Sequence, residues 1–271
     1  MQTEWLAQLG ARWQGLLSLY AFVGIIALTV AGSWLITRIP SVGAQAKLNR
    51  DTLAKRREKP SYVENQKWNR KWALLFQVII FSAVLPFCLK PGLPSIGALL
   101  LDCFVILMVY DFFYYLTHRF LFHDSDFLGG PLKWMHAIHH RQHNPCRMDS
   151  SYIHPLEVAI GLGLYVATIA ALAAIMGRFD VVTVIVTFVA FSQINLHNHN
   201  LWGEGRFLWG YAKYASDMHH HHHAKFTGGN FATITLLYDW MFGTLDHGEG
   251  GYSGVSRKPN GAAQGTSAIN R

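Results

Sequence analysis

Fifteen histidines stand in this chain, and most of them fall in short clusters near residues 118 to 154 and 197 to 223. His136, His139 and His140 form H-x-x-H-H, which on a helix sets three imidazoles at i, i+3 and i+4 on one face. His219, His222 and His223 repeat the spacing about eighty residues later. Imidazole suits zinc, copper, iron or nickel, so the chemistry is metal binding and the ligand type alone does not select the metal. The second box lies within a run of five histidines. A purification tag would stand at a terminus, whereas here Ala224-Lys225-Phe226 and a further apolar segment follow. His220 and His221 point away from the face of the other three and are read as exposed or supporting.

His118 and His123 form H-x-x-x-x-H where an apolar run ends. An offset of five is about 140° around an ideal helix, so both imidazoles reach one site only if the helix ends or deforms there. Asp111 precedes His118 by seven residues and shares its face; an acid inside an apolar span is costly and by default functional, and a supporting hydrogen-bonding role is expected. His197 and His199 lie in Asn195-Leu196-His197-Asn198-His199-Asn200, and His154 precedes Pro155-Leu156-Glu157. One or two of these three complete the ligand set, and spacing does not choose among them. His143 and His247 are read as non-ligands. The candidates His118, His123, His136, His139, His140, His219, His222 and His223, with His197, His199 or both, are too many for one metal, since zinc takes three or four protein ligands. Two metals are implied.

The elements that must position these residues are membrane spans. The chain is 51% hydrophobic and 14% charged, against roughly 25% charged in soluble domains. Five stretches approach the roughly 20 apolar residues that cross a bilayer: 16 to 38, 72 to 90, 96 to 117, 156 to 176 and 181 to 199. The first is too long for a secretory h-region and no small-residue cleavage site follows it, so it is expected to remain as a helix. The segment 38 to 71 is rich in Lys and Arg and is read as a cytoplasmic loop by the positive-inside rule, while the turns near Lys90 and Arg178 fit the opposite side. Every histidine cluster then lies on the cytoplasmic face. Spans four and five are joined by so few residues that they must form a tight hairpin. The net charge of +7 is a topology signal, because no aromatic-interleaved basic stretch suggests nucleic acid as a partner. Cys88, Cys103 and Cys146 have no spacing for a thiolate metal site or a disulfide framework. The expected organisation is an N-terminal helix with its basic loop (1–71), a membrane-embedded metal domain (72–247) and a loosely ordered tail (248–271).

Taken together, these motifs resemble the fatty acid hydroxylase and sterol desaturase superfamily. The resemblance rests on D-x-x-x-Y-x-x-H-R-x-x-x-H at Asp111, Tyr115, His118, Arg119 and His123, and on H-x-x-H-H at His136 to His140. It continues through H-P-L-E at His154 to Glu157, the second H-x-x-H-H, and N-F-x(7)-D-W-x-F-G-T from Asn230 to Thr244. The family's H-x-N element is replaced here by His197-Asn198-His199-Asn200, and Tyr238-Asp239-Trp240-Met241 stands where Trp-Asp-Arg-Leu is more usual. The resemblance implies an all-α, integral-membrane helical bundle with a cytoplasmic histidine-rich helical cap. It also implies two Fe ions in a di-iron centre, and a lipid drawn from the bilayer and hydroxylated or desaturated with dioxygen. Asp111, Tyr115, Asn230 and Asp239 become candidate catalytic residues, and Asp111, Glu157 and Asp239 candidate carboxylates around the metal. No haem domain, iron–sulfur cysteine pattern or G-x-G-x-x-G after a strand is present, so the electrons are expected from a separate electron-transfer protein, an external reductase. A divalent-metal transporter would favour polar groups near the bilayer midplane, a zinc hydrolase of the H-E-x-x-H type lacks its motif, and bis-histidine haem ligation leaves most boxes unexplained.

Overall fold

The computed structural model describes residues 10–123, 128–202 and 210–248; the expected tail lies outside these from residue 249 onward. Five helices are long and apolar enough to cross a membrane: Gly10–Ile36, Pro60–Cys88, Ile96–Phe122, Pro155–Met176 and Val181–Asn198. The architecture is an all-α membrane bundle. Helix α1 (Gly15–Ile36) is apolar around its circumference, and its Leu19 and Val23 face outward, as suits a surface solvated by lipid tails.

The basic segment expected as a loop is instead helical along most of its length, in α2 (Pro40–Arg57) and the start of α3 (Pro60–Ile79). Each helix begins with proline, whose fixed φ suits the first helical position, and the residues before them, Ile39 and Lys59, are extended as a following proline requires. Lys55, Arg56 and Arg57 close α2, where cations complement the helix dipole. The helix that carries the second apolar stretch therefore starts at Pro60, a dozen residues before the stretch itself. It passes through a π-helical turn at Ile80–Val84. Pro86 has no N–H to give the Ser82 carbonyl, and the Trp13 indole donates to that oxygen instead (3.0 Å).

Helix α4 (Ile96–Thr117) starts on Ser95, whose hydroxyl accepts from Ala98 N. A short helix, α5 (Lys133–His139), and a 3-10 turn at Arg147–Ser151 lead to α6 (Pro155–Met176). Gly177, at φ 96°, then reverses the chain into α7 (Val181–Asn198). Leu89–Lys90 pairs in parallel with Phe179–Asp180, so the turns that follow the second and fourth spans meet at one end of the bundle, where Lys90 lies 3.7 Å from Asp180. The C-termini of α4 and α7 and the N-terminus of α6 share the opposite end. Between the two ends Tyr110, Tyr165 and Phe191 pack ring on ring, with centroids 4.8 Å apart for Tyr165–Phe191 and 4.9 Å for Tyr110–Phe191. Helices α8 (Gly210–Ala224) and α9 (Leu237–Met241) complete the cap.

Candidate metal centre

Helix α4 continues past Thr117 into a π-helical turn at His118–Phe122. Closing the backbone i→i+5 instead of i→i+4 brings residues five apart over one another. This is the deformation that the H-x-x-x-x-H spacing requires, and it leaves His118 Nε2 and His123 Nε2 3.3 Å apart.

The two H-x-x-H-H boxes do not each serve one site. Residues at i+3 and i+4 diverge by about 100° around a helix, and the boxes exploit the divergence. His136 and His140 join His118, His123 and His222 in one group, while His139 joins His199, His219 and His223 in another. Each box thus contributes its i, i+4 pair to one group and its remaining imidazole to the other, with the roles exchanged between boxes. The groups adjoin, the His140 and His223 rings stacking at 4.8 Å.

The hydrogen bonds settle which ring nitrogen is bare. His118 Nδ1 donates to the Phe231 carbonyl (2.7 Å), His123 Nδ1 to Phe226 (2.7 Å), His222 Nδ1 to Gly229 (2.8 Å) and His199 Nδ1 to Asn195 (2.8 Å). His139 Nδ1 faces the Tyr152 carbonyl (3.4 Å), and His136 Nδ1 donates to Glu157 Oε1 (2.8 Å). Each of these acceptors keeps the proton on Nδ1 and leaves a lone pair on Nε2. The Nε2 atoms of these six converge with those of His140, His219 and His223, whose Nδ1 atoms have no hydrogen-bond partner among the described residues: 3.0 Å for His118–His136, 3.1 Å for His140–His136 and His140–His222, 3.0 Å for His139–His199 and His219–His199, and 3.2 Å for His223–His199. Burial, reinforced by the neighbouring imidazoles, holds His123, His136, His140, His199, His219 and His223 well below the usual histidine range; burial pushes His139 down to about 3 and His222 to about 4. Neutral lone pairs facing one another repel unless a cation lies among them. Ligand bonds of about 2.1 Å at right angles would separate the nitrogens by roughly 3 Å, which is the spacing found.

Asp111, Tyr115, Asn230 and Asp239, the four candidate catalytic residues, touch none of the converging nitrogens; their polar atoms are taken up by backbone groups and by the side chains of Arg119, Thr235 and Thr244. Asp111 accepts from the backbone N–H groups of Thr233, Ile234 and Thr235 and from the Thr235 hydroxyl. Arg119 donates to the Tyr115 hydroxyl, which meets Thr244 Oγ1; Thr244 in turn donates to Asp239, whose carboxylate accepts from Phe231 N and Ala232 N. The segment held this way presents the Phe231 carbonyl to His118. Asn230, in the left-handed region at φ 65°, gives its amide to the Met218 and Asp246 carbonyls.

His197 stands outside both groups. Its ring packs on Trp202 and its Nδ1 accepts from Asn200, whereas His199, one turn end further along, converges. His154 caps α6 by accepting from Leu156 N, His143 reaches the His223 carbonyl, His247 lies on Tyr214, and His220 meets Asn144. Reading the sequence for side-chain chemistry passes over the carbonyls of Phe226, Gly229 and Phe231. Gly229 carries a visible signal: in Gly228-Gly229-Asn230 a side chain at Gly229 would collide with the Thr244 carbonyl, so only glycine brings that backbone to His222.

A cavity of about 220 Å³ reaches both groups, touching His118 and His136 of one and His139, His199 and His219 of the other. Ile153, Val158, Leu162 and Phe191 line it and also line an adjoining groove of about 700 Å³ along α3. Apolar walls thus lead to the imidazoles.

The comparisons with known proteins point the same way. A provisionally named methylsterol monooxygenase of Dictyostelium discoideum is 29% identical over 62% of this chain and 59% of that protein. Very-long-chain aldehyde decarbonylase GL1-11 of Oryza sativa subsp. indica is 31% identical over 49% and 48%, and methylsterol monooxygenase 2-1 of Arabidopsis thaliana 27% identical over 57% and 58%. The chain spans about half to three-fifths of the length of these relatives. No solved structure matches it. The family model described as fatty acid hydroxylase matches residues 103–244, which is more than half of the chain and includes every converging histidine: the chain belongs to the fatty acid hydroxylase family.

Proposed function

We propose that the two histidine groups hold two iron ions and that the chain is a membrane-bound oxygenase that uses dioxygen and two electrons to hydroxylate or desaturate a lipid. The observation that carries this reading is the convergence of bare Nε2 atoms in two adjoining groups beside an apolar cavity. His118, His123, His136, His140 and His222 would hold one ion, and His139, His199, His219 and His223 the other. When bound, the iron pair supplies the redox chemistry that cleaves dioxygen.

The chain's own residues do the rest. Carbonyls of Phe231, Phe226, Gly229 and Asn195 orient the imidazoles and raise their basicity through Nδ1. Glu157, which lines the cavity, sets one carboxyl oxygen against His136 Nδ1, and its second oxygen has no partner among the described residues. Val158, Leu162 and Phe191 guide an alkyl skeleton to the ions and exclude water. The relatives' names specify a methylsterol and a very-long-chain aldehyde, both lipidic, which fits such a cavity. Positive-inside bias in residues 38–71 supports a cytoplasmic histidine end, within reach of a separate electron-transfer protein.

The test is metal analysis of detergent-purified protein from cells grown on iron-57, by elemental analysis and Mössbauer spectroscopy. Two coupled irons per chain that react with dioxygen after reduction are expected; stoichiometric zinc that iron cannot replace with gain of activity would refute the oxygenase.

A further inference from the structure

Between α1, α2 and α7, at the end of the bundle where α1 leaves its apolar span, lies another cavity, of about 430 Å³. It touches none of the converging imidazoles. Leu28, Ile36, Val42 and Val189 form an apolar wall, and at Gly32 even an added Cβ would meet open space. The opposite wall is built of donors. Gln45 Nε2 and Trp202 Nε1 are shut away from solvent and have no acceptor among the described residues. Arg147, half-buried, gives one N–H to Gln193 Oε1 and is anchored through its backbone N–H to Asn49 Oδ1. Among the described residues no Asp or Glu lines the cavity and none pairs with Arg147.

Buried N–H groups without acceptors are rare, and a guanidinium withdrawn from water without a counter-charge is costly. A molecule with an oxygen-rich anionic head and an apolar tail answers both: guanidinium and N–H donors suit phosphate oxygens, and the wall of α1 suits an alkyl chain. The cavity reaches Ile36, where the apolar helix α1 ends, and the ends of apolar spans are where lipid head groups are met. We propose that this cavity binds an anionic membrane phospholipid, its phosphate on Arg147, Gln45 and Trp202 and its chain along α1 toward Leu28, at a site separate from the metal centre.

The metal-loaded protein is reconstituted in phosphatidylcholine nanodiscs with and without phosphatidylglycerol, and the lipid retained after mild delipidation is identified by native mass spectrometry. Selective, stoichiometric retention of phosphatidylglycerol is expected. Retention is expected to fall by roughly tenfold or more in Arg147→Gln, the scale of one lost charge-assisted hydrogen bond. Gly32→Leu fills the apolar end with Arg147 left in place and is expected to do the same, with unchanged metal content showing that the variant is folded. Equal retention of phosphatidylcholine, unchanged retention in both variants, or equal thermal protection by inorganic phosphate alone would overturn the site.

Discussion

His139 and His222 hold Nδ1 against a backbone carbonyl and turn Nε2 into opposite groups, so each substitution by Ala removes one nitrogen from a different ion site. Both variants are expected to lose iron and lose activity by more than about 100-fold, the upper range for disturbing a metal's ligands, while still inserting in the membrane; elemental analysis and activity on the same preparation check this. His197→Ala is the contrasting case. Its ring packs on Trp202 outside both groups, so its iron content is expected to match that of the parent protein. Spacing left His197 and His199 as alternatives because both stand at the end of the same span, and only the meeting of α7 with α5 and α8 separates them. What was legible at this scale was what is local: imidazoles at i, i+3 and i+4. That one box would feed two groups depends on a second helix arriving from eighty residues away.

At the scale of elements, the π turn at His118–Phe122 converts a spacing of five into a shared direction. Inserting one alanine after Phe120 makes the offset six, which neither an α nor a π turn aligns, and the group that contains His118 and His123 is expected to lose its iron while the other is retained, seen as the loss of coupling in Mössbauer spectra. The segment 230–235 is the second such element. Asp111→Asn removes the anionic acceptor of three backbone N–H groups and lets the Phe231 carbonyl drift from His118. Iron affinity is expected to fall roughly 10- to 100-fold, measured by competition with a chelator, with the His118 ligand itself untouched. The apolar spans could be read from composition almost to the residue, except the second, whose polar first half hid that α3 begins at Pro60. Of the acceptors on the 226–235 segment only Gly229 left a mark, since a carbonyl has no letter in the sequence.

For the whole molecule, the sharing of a polar end by α4, α5, α6, α7 and α8 means that helices already packed through Tyr110, Tyr165 and Phe191 are joined a second time through imidazoles. Because ions bind the folded chain and not the unfolded one, stripping them is expected to lower Tm by on the order of 5 °C or more, read from thermal unfolding before and after chelation. The crosswise division of the two H-x-x-H-H boxes has a further consequence. An ion in either group must fix both α5 and α8, and so prepares the ligands of its neighbour. Loading is then cooperative: an iron titration of the stripped protein should be sigmoidal, because the first ion in place strengthens the binding of the second.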